Sequence, residues 1–362
     1  MFEIYSKTDF QTVISEIFKS WKLYALPPLN EEKFEIKLMP FRKVGLHSLL
    51  TFMIFSDSKP IVVIKMPRYR DGKLAFEALR NEARALEHLA QTKIFKDHFP
   101  ALFKLAEFNG VPVLLIRACD GEMLHRFIDR EENLDNLKKY IENGADVLLK
   151  LNDWAKLSRK KIDDEFIKKE LITPLKAVMP YYSQFTGEIE AFLGSFLENK
   201  SWLGAEYPVV YAHQEYNPWN ILVEKNDNLV VLDWEDANPD GLPFQDLYNY
   251  FTVCFRVVFY GEAKHSQERP LEAKINRAES QLTAFNGFLN KYCQLLGVSP
   301  GLKDLFYVIF AVKQALFFVE EKRREINYGL TWLTLILNAA PSNCFESHIR
   351  NEIEAYKKIN NG

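Results

Sequence analysis

The stretch from Val209 to Phe251 constrains the fold of this chain more than any other part of the sequence. Two short apolar runs, Ile221–Glu224 and Leu229–Leu232, flank the polar residues KNDN, which are typical of a turn. This pattern predicts a β-hairpin. Because the two ends of an antiparallel hairpin are neighbours, Asn220 before the first strand and Asp233 after the second are predicted to lie close together.

The residues at the open end of this hairpin suit a magnesium site beside a reacting hydroxyl group. A carboxamide oxygen and a carboxylate that converge are ligands that Mg²⁺ accepts next to nucleotide phosphates. Glu215 lies in the loop that enters the hairpin, where it is placed to accept a proton. Singly, each residue also has a structural interpretation: Asn220 and Asp233 as strand-end polar groups, and His213 as a hydrogen-bonding side chain.

The order of these residues is that of kinase-type phosphoryl transfer: a histidine, an acid, an asparagine, and an aspartate after a hairpin. The segment resembles the aminoglycoside phosphotransferase and choline kinase family, whose signature reads approximately HGDxxxxN, a hairpin, and IDW or IDF. HQEYNPWNIL is similar to a PWN variant of that loop, and DGLPFQDL is similar to the family's G-x-P-x-x-D-L. The resemblance implies Mg²⁺ ligands at Asn220 and Asp233. It also implies catalytic roles for His213 and Glu215, with Asp246 supporting their loop.

The wider pattern predicts an α+β fold. A leading helix is expected at about residues 8–25, β-rich runs follow at 34–66, and a helical pattern covers about 73–92. After Gly121 the chain is mainly helical apart from the hairpin region. The predicted lobes are 1–117, an antiparallel sheet with one key helix, and 118–362, a larger helical lobe. The resemblance implies a two-lobed protein-kinase-like fold.

The resemblance also implies an ATP site in the first lobe. VVIKMP is similar to the strand whose lysine, here Lys65, contacts the nucleotide phosphates, and Glu82 on the following helix corresponds to its acidic partner. VLLIRACDGEML is similar to the segment that links the lobes. The residues implied to lie along the adenine ring are Ile116, Arg117 and Ala118.

The sequence departs from the family pattern in two places. The stretch expected over the phosphates contains Gly45 but lacks G-x-G-x-x-G. Glu215 stands at the position of the usual aspartate, and the extra methylene displaces its oxygens by about 1.5 Å. A misplacement on the order of 1 Å can reduce a rate about a hundredfold. Gln214 replaces a glycine beside it, which re-aims the loop or reflects a relaxed constraint.

Composition excludes several classes of function. With 46 basic and 49 acidic side chains, the net charge of −3 provides no electrostatic footprint for nucleic acid or an anionic membrane. The hydrophobic runs are too short or too interrupted by charge to span a bilayer, and no signal peptide is recognised. The four cysteines are widely separated, which is typical of reduced thiols. These features predict a cytoplasmic protein.

Three interpretations remain open. The first is an ATP- and Mg²⁺-dependent kinase that phosphorylates a hydroxyl group of a sugar, amino alcohol or related metabolite. The second is a catalytically impaired kinase-like protein that binds nucleotide as a sensor or scaffold, and the third is an α+β protein with a chance motif. Four aromatic residues either line an acceptor pocket or belong to the core: Trp219, Trp234, Tyr248 and Tyr250. Three acids either bind the acceptor or form a solvated loop: Glu235, Asp236 and Asp240.

Overall fold

The computed structural model of the chain describes residues 7–39, 49–70, 72–92, 97–154, 158–198, 200–320 and 343–361. The predicted phosphate-covering loop around Gly45 lies outside these ranges. The chain forms two compact units. The sheet unit comprises Met1–Arg126 and Pro218–Ala237, and the helical unit comprises Phe127–Asn217 and Asn238–Gly362. The lobe boundary predicted after residue 117 stays a prediction.

The sheet unit contains a five-stranded antiparallel sheet in the order β1-β2-β3-β5-β4. The strands are β1 (Phe34–Leu38), β2 (Leu49–Ser56), β3 (Lys59–Pro67), β4 (Leu102–Phe108) and β5 (Val111–Arg117). Asp57 and Ser58 join β2 to β3, and Asn109 and Gly110 join β4 to β5; all four have positive φ. Two-residue turns of this conformation match the twist of the strands that they connect, so the local sequence sets both hairpins.

One helix at the start of the chain covers a face of this sheet. α1 (Lys7–Lys19) places Val13 and Ile17 in a hydrophobic cluster with strand residues such as Ile54. Each fully buried side chain of this kind contributes about 1.5–3 kcal/mol of transfer free energy. The sequence predicted that this helix would continue to about residue 25, but it ends at Lys19. Ala25 has a positive φ of 51°, and two prolines follow closely, so the chain continues in turns.

The predicted hairpin is present in the sheet unit. β9 (Ile221–Glu224) and β10 (Leu229–Val231) pair antiparallel, and β6 (Gly121–Met123) pairs with the other edge of β9. A Cβ atom on Gly121 would lie 2.2 Å from the carbonyl oxygen of Val223. Only glycine therefore allows β6 and the hairpin to approach this closely.

The rest of the chain is mostly helical. Its helices are α2 (Lys73–Ala90), α3 (Leu124–Arg130), α4 (Leu134–Trp154), α5 (Asp164–Ile167), α6 (Thr173–Val178), α7 (Thr186–Glu198), α8 (Gln245–Tyr260), α9 (Lys264–Gln267), α10 (Leu271–Leu296), α11 (Lys303–Glu320) and α12 (Cys344–Asn361). α2 belongs to the sheet unit, and the helices from α4 onward belong to the helical unit, which also contains a three-stranded sheet in the order β11-β8-β7. Its strands are β7 (Ser158–Lys161), β8 (Glu206–Ala212) and β11 (Asn238–Gly241). An antiparallel N-terminal sheet followed by a mostly helical chain confirms the predicted α+β fold class.

Within the ranges that the structure describes, no single helix has both the length and the hydropathy needed to cross a bilayer. α10 and the segment Pro300–Val319 meet the criteria only as a pair, bent by 118° at the break between them. Both contribute to the core of the helical unit, for example through Phe285 and Phe310.

Candidate functional site

Lys65 is the centre of a buried ion-pair cluster in the sheet unit. It lies on β3 and is only 9% exposed. Its Nζ contacts both carboxylate oxygens of Glu82, Oε1 at 2.8 Å and Oε2 at 2.7 Å. A third contact of 2.9 Å joins Nζ to Oδ1 of Asp233. The structure therefore places the predicted Lys65 and Glu82 in contact and brings Asp233 to the same ammonium group.

The position of Glu82 follows from the amphipathic pattern of α2 (Lys73–Ala90). Leu79 and Leu86, three residues before and four residues after Glu82, are fully buried on one face of the helix. Glu82 lies within this apolar stripe and is itself 0% exposed. A carboxylate buried in this way needs a cation, because an uncompensated buried charge costs several kcal/mol. The helix thus fixes the acid, and Lys65 supplies the compensating charge.

Asp233 lies just beyond the hairpin, with Leu232 between it and β10. The N–H of Leu232 donates to the carbonyl oxygen of Asn220 at 2.8 Å, so the strand pairing continues for one position past β9 and β10. Asn220 and Asp233 therefore occupy neighbouring positions at the open end of the hairpin. Asp233 has a φ of 64°, a left-handed conformation that costs a non-glycine residue about 1–2 kcal/mol. The contact with Lys65 helps to hold it there.

A third carboxylate joins the cluster. One oxygen from each of Glu82, Asp233 and Glu235 lies within 4.8 Å of the others. The loop that carries Glu235 is tied to α2 by Asn81, whose Nδ2 donates to the carbonyl oxygens of Glu235 at 2.7 Å and Ala237 at 3.0 Å. Glu235 was not among the metal ligands predicted from the sequence. The signal that points to it is an acid two residues after Asp233.

The electrostatics of this cluster favour a bound cation. Burial alone would lower the pKa of Lys65, but the charges of Asp233 and Glu82 outweigh burial and raise it, so Lys65 stays charged. Burial, followed by the charge of Asp233, raises the pKa of Glu235 to about 8. Burial, together with the charge of Asp233, also raises the pKa of Glu82, although the charge of Lys65 lowers it. Three acidic groups therefore share one ammonium group, and their oxygen atoms are ligands that a divalent cation such as Mg²⁺ accepts.

The residues implied to lie along an adenine ring form the end of β5 and the position after it. Ile116 is buried in the sheet. The N–H of Arg117 donates to the carbonyl oxygen of Ala101 at 2.8 Å, and the N–H of Ala118 donates to that of Ile61 at 3.2 Å. Both amide donors are thus used within the sheet unit. The contact of Ile116, Arg117 and Ala118 with an adenine ring stays a prediction. Such a contact would use the carbonyl oxygens and side chains of these residues.

In the helical unit, β8 leads directly into the loop that carries His213 and Glu215. His213 is fully buried, and its backbone N–H donates to Oδ2 of Asp246 at 2.6 Å. Burial raises the pKa of Asp246 to about 7, although hydrogen bonds from three backbone N–H groups of the loop lower it. The Asp246 carboxylate therefore fixes the backbone of the loop from beneath.

Gln214 stands where the family signature has glycine, and its φ is 73°. Glycine adopts this left-handed conformation readily, whereas an L-residue does so at a cost of about 1–2 kcal/mol. A side-chain contact offsets part of this cost, because Nε2 of Gln245 donates to Oε1 of Gln214 at 2.7 Å. The loop therefore keeps the backbone shape that a glycine would give it.

Glu215, the predicted base, is half-buried in this loop. Nδ2 of Asn217 donates to the carbonyl oxygen of Glu215 at 2.9 Å, which fixes the backbone on its C-terminal side. Glu215 belongs to the helical unit, whereas Asn220 and Asp233 belong to the sheet unit. The roles of these residues in catalysis and metal binding stay predictions.

Two residues that the sequence analysis did not single out support the segment before α8. Phe244 has a φ of 67°, and its N–H donates to the hydroxyl group of Tyr292 at 3.1 Å. That hydroxyl donates to Oδ1 of Asn152 at 2.7 Å, and Nδ2 of Asn152 donates to the carbonyl oxygen of Tyr211 at 3.2 Å. All four residues are buried. Because α8 carries Asp246, these contacts set the position of the carboxylate that holds the loop.

Gly241, in the DGLPFQDL motif, allows β11 to lie against β8. It is paired with Val210, and a Cβ atom on Gly241 would lie 2.3 Å from the Cβ of Ala212. Any other residue would push the two strands apart. The short segment from Gly241 to Asp246 thus connects the strand beside the loop to the carboxylate beneath it.

Most of the aromatic residues considered for an acceptor pocket belong to the core. Trp234, Tyr248 and Tyr250 are fully buried, and their polar atoms donate to backbone carbonyl oxygens. Trp219 is half-buried, and its ring stands edge-on to that of His125 with 6.3 Å between centroids. Of the four, only Trp219 retains appreciable exposure.

Comparison with known proteins gives one family. The family model described as "Phosphotransferase enzyme family" (APH) matches residues 61–276, more than half of the chain. The matched range begins in β3, includes Lys65, Glu82, the hairpin and Asp246, and ends within α10. No curated protein sequence matches the chain.

Proposed function

This chain belongs to the phosphotransferase enzyme family, and from that premise we propose that it transfers the γ-phosphate of ATP to a hydroxyl group of a small molecule. The observation that carries the proposal is the buried contact of Lys65 with Glu82 and Asp233. A fixed, permanently charged ammonium group supports the binding of nucleotide phosphates. The acceptor would be a sugar, an amino alcohol or a related metabolite.

Asn220 and Asp233 would hold Mg²⁺, with the Glu235 carboxylate close to them. The residues fit this ion, because three carboxylates face a single ammonium group and their mutual repulsion helps to raise the pKa of Glu235 to about 8. When bound, the ion supplies neutralisation of the negative charge on the phosphate oxygens. Lys65 would orient those oxygens, and Glu82 would keep the ammonium group in place.

In the transfer step, the acceptor oxygen forms a bond to the γ-phosphorus while the bond from that phosphorus to the β–γ bridging oxygen breaks. ADP leaves with the electron pair of the broken bond, and the hydroxyl proton passes to the Glu215 carboxylate. His213 would position this loop through its backbone hydrogen bond to Asp246. The hydrogen bonds to the backbone on both sides of Glu215 support the assignment of the base, because they limit the positions open to its side chain.

A second candidate is a nucleotide-binding protein that does not transfer phosphate. It is favoured by one specific observation: the loop carries Gln214 in a conformation natural to glycine, beside an acid that is one methylene longer than the usual aspartate. Such a protein would act as a sensor or scaffold. It would bind ATP through the Lys65 cluster without turning it over.

We also propose that the protein works in the cytoplasm on a small-molecule acceptor, without a nucleic-acid or membrane partner. The four cysteines, all within the described ranges, form no disulfide bond, which is typical of a reducing compartment. The net charge of −3 gives no general attraction to polyanionic surfaces.

Nucleotide binding is tested by the thermal stability of the protein with and without Mg·ATP. We expect ATP to raise the unfolding temperature of the wild type, because a ligand that binds only the folded state stabilises it. Asp233→Ala should lose this increase. The matched control is Asp236→Ala, an exposed acid in the same loop, which should retain it. A wild-type protein that Mg·ATP leaves unchanged would overturn both candidate functions.

Turnover separates the two candidates. ADP formation is measured for the wild type, Glu215→Gln and Glu215→Asp with a panel of sugars and amino alcohols. Wild-type turnover that falls by about 10²-fold or more in Glu215→Gln supports the kinase and its base. Turnover that arises only in Glu215→Asp supports the nucleotide-binding protein, since shortening the side chain then restores the geometry of the site.

A further inference from the structure

β1 (Phe34–Leu38) forms one end of the five-stranded sheet, and β2 is its only strand partner in the described ranges. Two hydrogen bonds that flank this pair define its geometry. The N–H of Met39 donates to the carbonyl oxygen of Thr51 at 2.8 Å, and the N–H of Asp57 donates to that of Lys33 at 3.0 Å. Because hydrogen-bonded positions alternate along an antiparallel strand, the odd-numbered residues of β1 bond β2 and the even-numbered residues face outward.

The outward-facing backbone groups belong to Phe34, Ile36 and Leu38. Among the residues that the structure describes, no strand pairs with this edge. Phe34 is 42% and Leu38 is 51% exposed, which is high for apolar side chains. Glu35 and Lys37 alternate with them, both exposed, and contact each other at 3.0 Å. An open strand edge with exposed apolar side chains is a template for pairing with another strand.

We propose that β1 is a self-association surface that pairs antiparallel with β1 of a second copy of this chain, about a two-fold axis at Ile36. In this register Phe34 lies opposite Leu38 of the second copy, and the two Ile36 residues lie opposite each other. Glu35 lies opposite Lys37 of the second copy. The three outward-facing residues then each exchange two backbone hydrogen bonds with the residue opposite.

Several registers would let the outward-facing backbone groups of the two β1 strands bond each other. The charges of Glu35 and Lys37 favour the one with the axis at Ile36. Moving the axis to Glu35 would place two glutamates directly opposite each other, and moving it to Lys37 would do the same to two lysines. Like charges directly opposite each other destabilise strand pairing, whereas opposite charges stabilise it. The central register alternates two acids and two bases on one face of the joined sheets. The sequence FEIKL is therefore complementary to its own reverse.

The surface predicts a weak, closed dimer. β1 has five residues, so the strand pair alone buries less area than stable protein interfaces do. An antiparallel contact about a two-fold axis uses the same edge of both copies. No β1 edge is left for a third copy, so association through β1 stops at two chains.

Sedimentation of the complete chain, from about 1 μM to about 500 μM, tests the proposal. We expect the wild type to change reversibly from monomer to dimer over this range. Glu35→Lys and Lys37→Glu should each weaken the dimer by about tenfold or more, because two attractive charge pairs become repulsive. An equimolar mixture of the two variants should dimerise at least as well as the wild type. One chain then presents two positive and the other two negative side chains on the shared face.

A backbone variant and a matched control complete the test. Ile36→Pro removes an outward-facing N–H and leaves the hydrogen bonds to β2 intact, so it should abolish the dimer. Ile36→Ala loses the packing of the same side chain against the core but keeps the N–H, so it should still dimerise. Lys104→Glu, an exposed charge reversal on β4 at the other end of the sheet, should leave dimerisation unchanged. A monomeric wild type, a dimer that survives Ile36→Pro, or a variant mixture that stays monomeric would each overturn the proposal.

Discussion

The cluster around Lys65 and the loop around Glu215 are held in place by different kinds of contact. Around Lys65, charged side chains contact one another directly at 2.7–2.9 Å. Around Glu215, backbone N–H groups of the loop bond to the buried carboxylate of Asp246, and the hydroxyl group of Tyr292 holds the segment before it. The cluster therefore depends on the identity of its side chains, whereas the loop depends on the shape of its backbone.

This difference explains where the sequence departs from the family signature. At the cluster, Lys65, Glu82 and Asp233 have the residue types that the resemblance implies. In the loop, Gln214 and Glu215 differ from the signature. A loop whose backbone is fixed from beneath keeps its shape when its own half-exposed side chains change. Altered side chains in this loop are thus weak evidence that its fold has changed.

The largest expected effect on stability comes from removing the charge at the centre of the cluster. Lys65→Met keeps an unbranched apolar stem but leaves Glu82 buried without its cation, so we expect a loss of about 3–5 kcal/mol in the free energy of unfolding. Urea unfolding near neutral pH measures it. Lys59→Met, at an exposed position of the same strand, is the control and should change stability by less than about 0.5 kcal/mol. A similar small change for Lys65→Met would contradict the ion-pair description.

Adding Glu82→Gln to Lys65→Met sharpens this result. If the loss arises from the buried charge of Glu82, the double variant should regain most of the stability that the single variant loses, since a neutral amide needs no cation. A double variant that is less stable than Lys65→Met would show instead that packing around the lysine stem dominates.

The next effect concerns the carboxylate that holds the loop. Burial raises the folded-state pKa of Asp246 from 3.8 to about 7, so the unfolded chain loses this proton first as the pH rises. The stability that the protonated group contributes is complete below about pH 4 and is lost as the pH rises through about 7, at about 1 kcal/mol per pH unit. Asp246→Asn should reduce the slope of the wild type by about 1 kcal/mol per pH unit in urea unfolding measured between about pH 5 and about pH 7. The slope that remains includes that of Glu235, whose pKa burial also raises.

Asp240→Asn is the control for this pH dependence, because its exposed side chain should leave the slope of the wild type unchanged. Equal slopes in the wild type and Asp246→Asn would mean that the loop is held by a permanently ionised carboxylate. The contrast with Lys65, whose ammonium group stays charged at all of these pH values, would then be lost.

A smaller effect is expected at the hydroxyl group behind α8. Tyr292→Phe leaves the N–H of Phe244 and Oδ1 of Asn152 buried without a partner, which should cost about 1–3 kcal/mol. Hydrogen exchange of the His213 amide should also become faster, since Asp246 is less firmly placed. Tyr181→Phe, an exposed tyrosine, should change neither quantity. If hydrogen exchange of the His213 amide is unchanged in Tyr292→Phe, Tyr292 does not help to hold the loop.

The smallest effect tests the backbone of the loop itself. Gln214→Ala and Gln214→Gly both remove the contact with Gln245, but only glycine relieves the left-handed conformation. We therefore expect the glycine variant to be more stable than the alanine variant by about 1 kcal/mol in urea unfolding. An alanine variant that is as stable as the glycine variant would contradict the positive φ at this position.

The sequence predicted the contacts between residues that lie on regular strands and helices, because the periodicity of these elements can be recognised locally. The strand with Lys65, the helical stripe with Glu82 and the turn-flanking runs of the hairpin are local patterns, and the family order specifies how they meet. The contribution of Asn81 and Glu235 was not predicted, because it depends on the path of the loop after Asp233. The end of α1 was also misplaced, since propensity does not register the positive φ of Ala25.

The residues that support the loop in the helical unit could not be predicted from the sequence for a different reason. Tyr292 and Asn152 are 140 positions apart, and each reads as an ordinary core residue on an amphipathic helix. Their pairing is a property of the packed unit alone. Likewise, the positive φ values of Gln214 and Phe244 arise from tertiary contacts, because neither residue type favours this conformation.

The discontinuous path of the sheet unit has a consequence for how the protein is made. The chain leaves this unit after Arg126 and returns to it at Pro218–Ala237, which carries Asp233. At a synthesis rate of about 5–20 residues per second, Lys65 and Glu82 emerge from the ribosome roughly 10–30 s before that hairpin. During this interval Lys65 and Glu82, which are buried in the folded protein, lack their contact with Asp233. The N-terminal segment therefore completes its buried ion-pair cluster only after the hairpin has been synthesised.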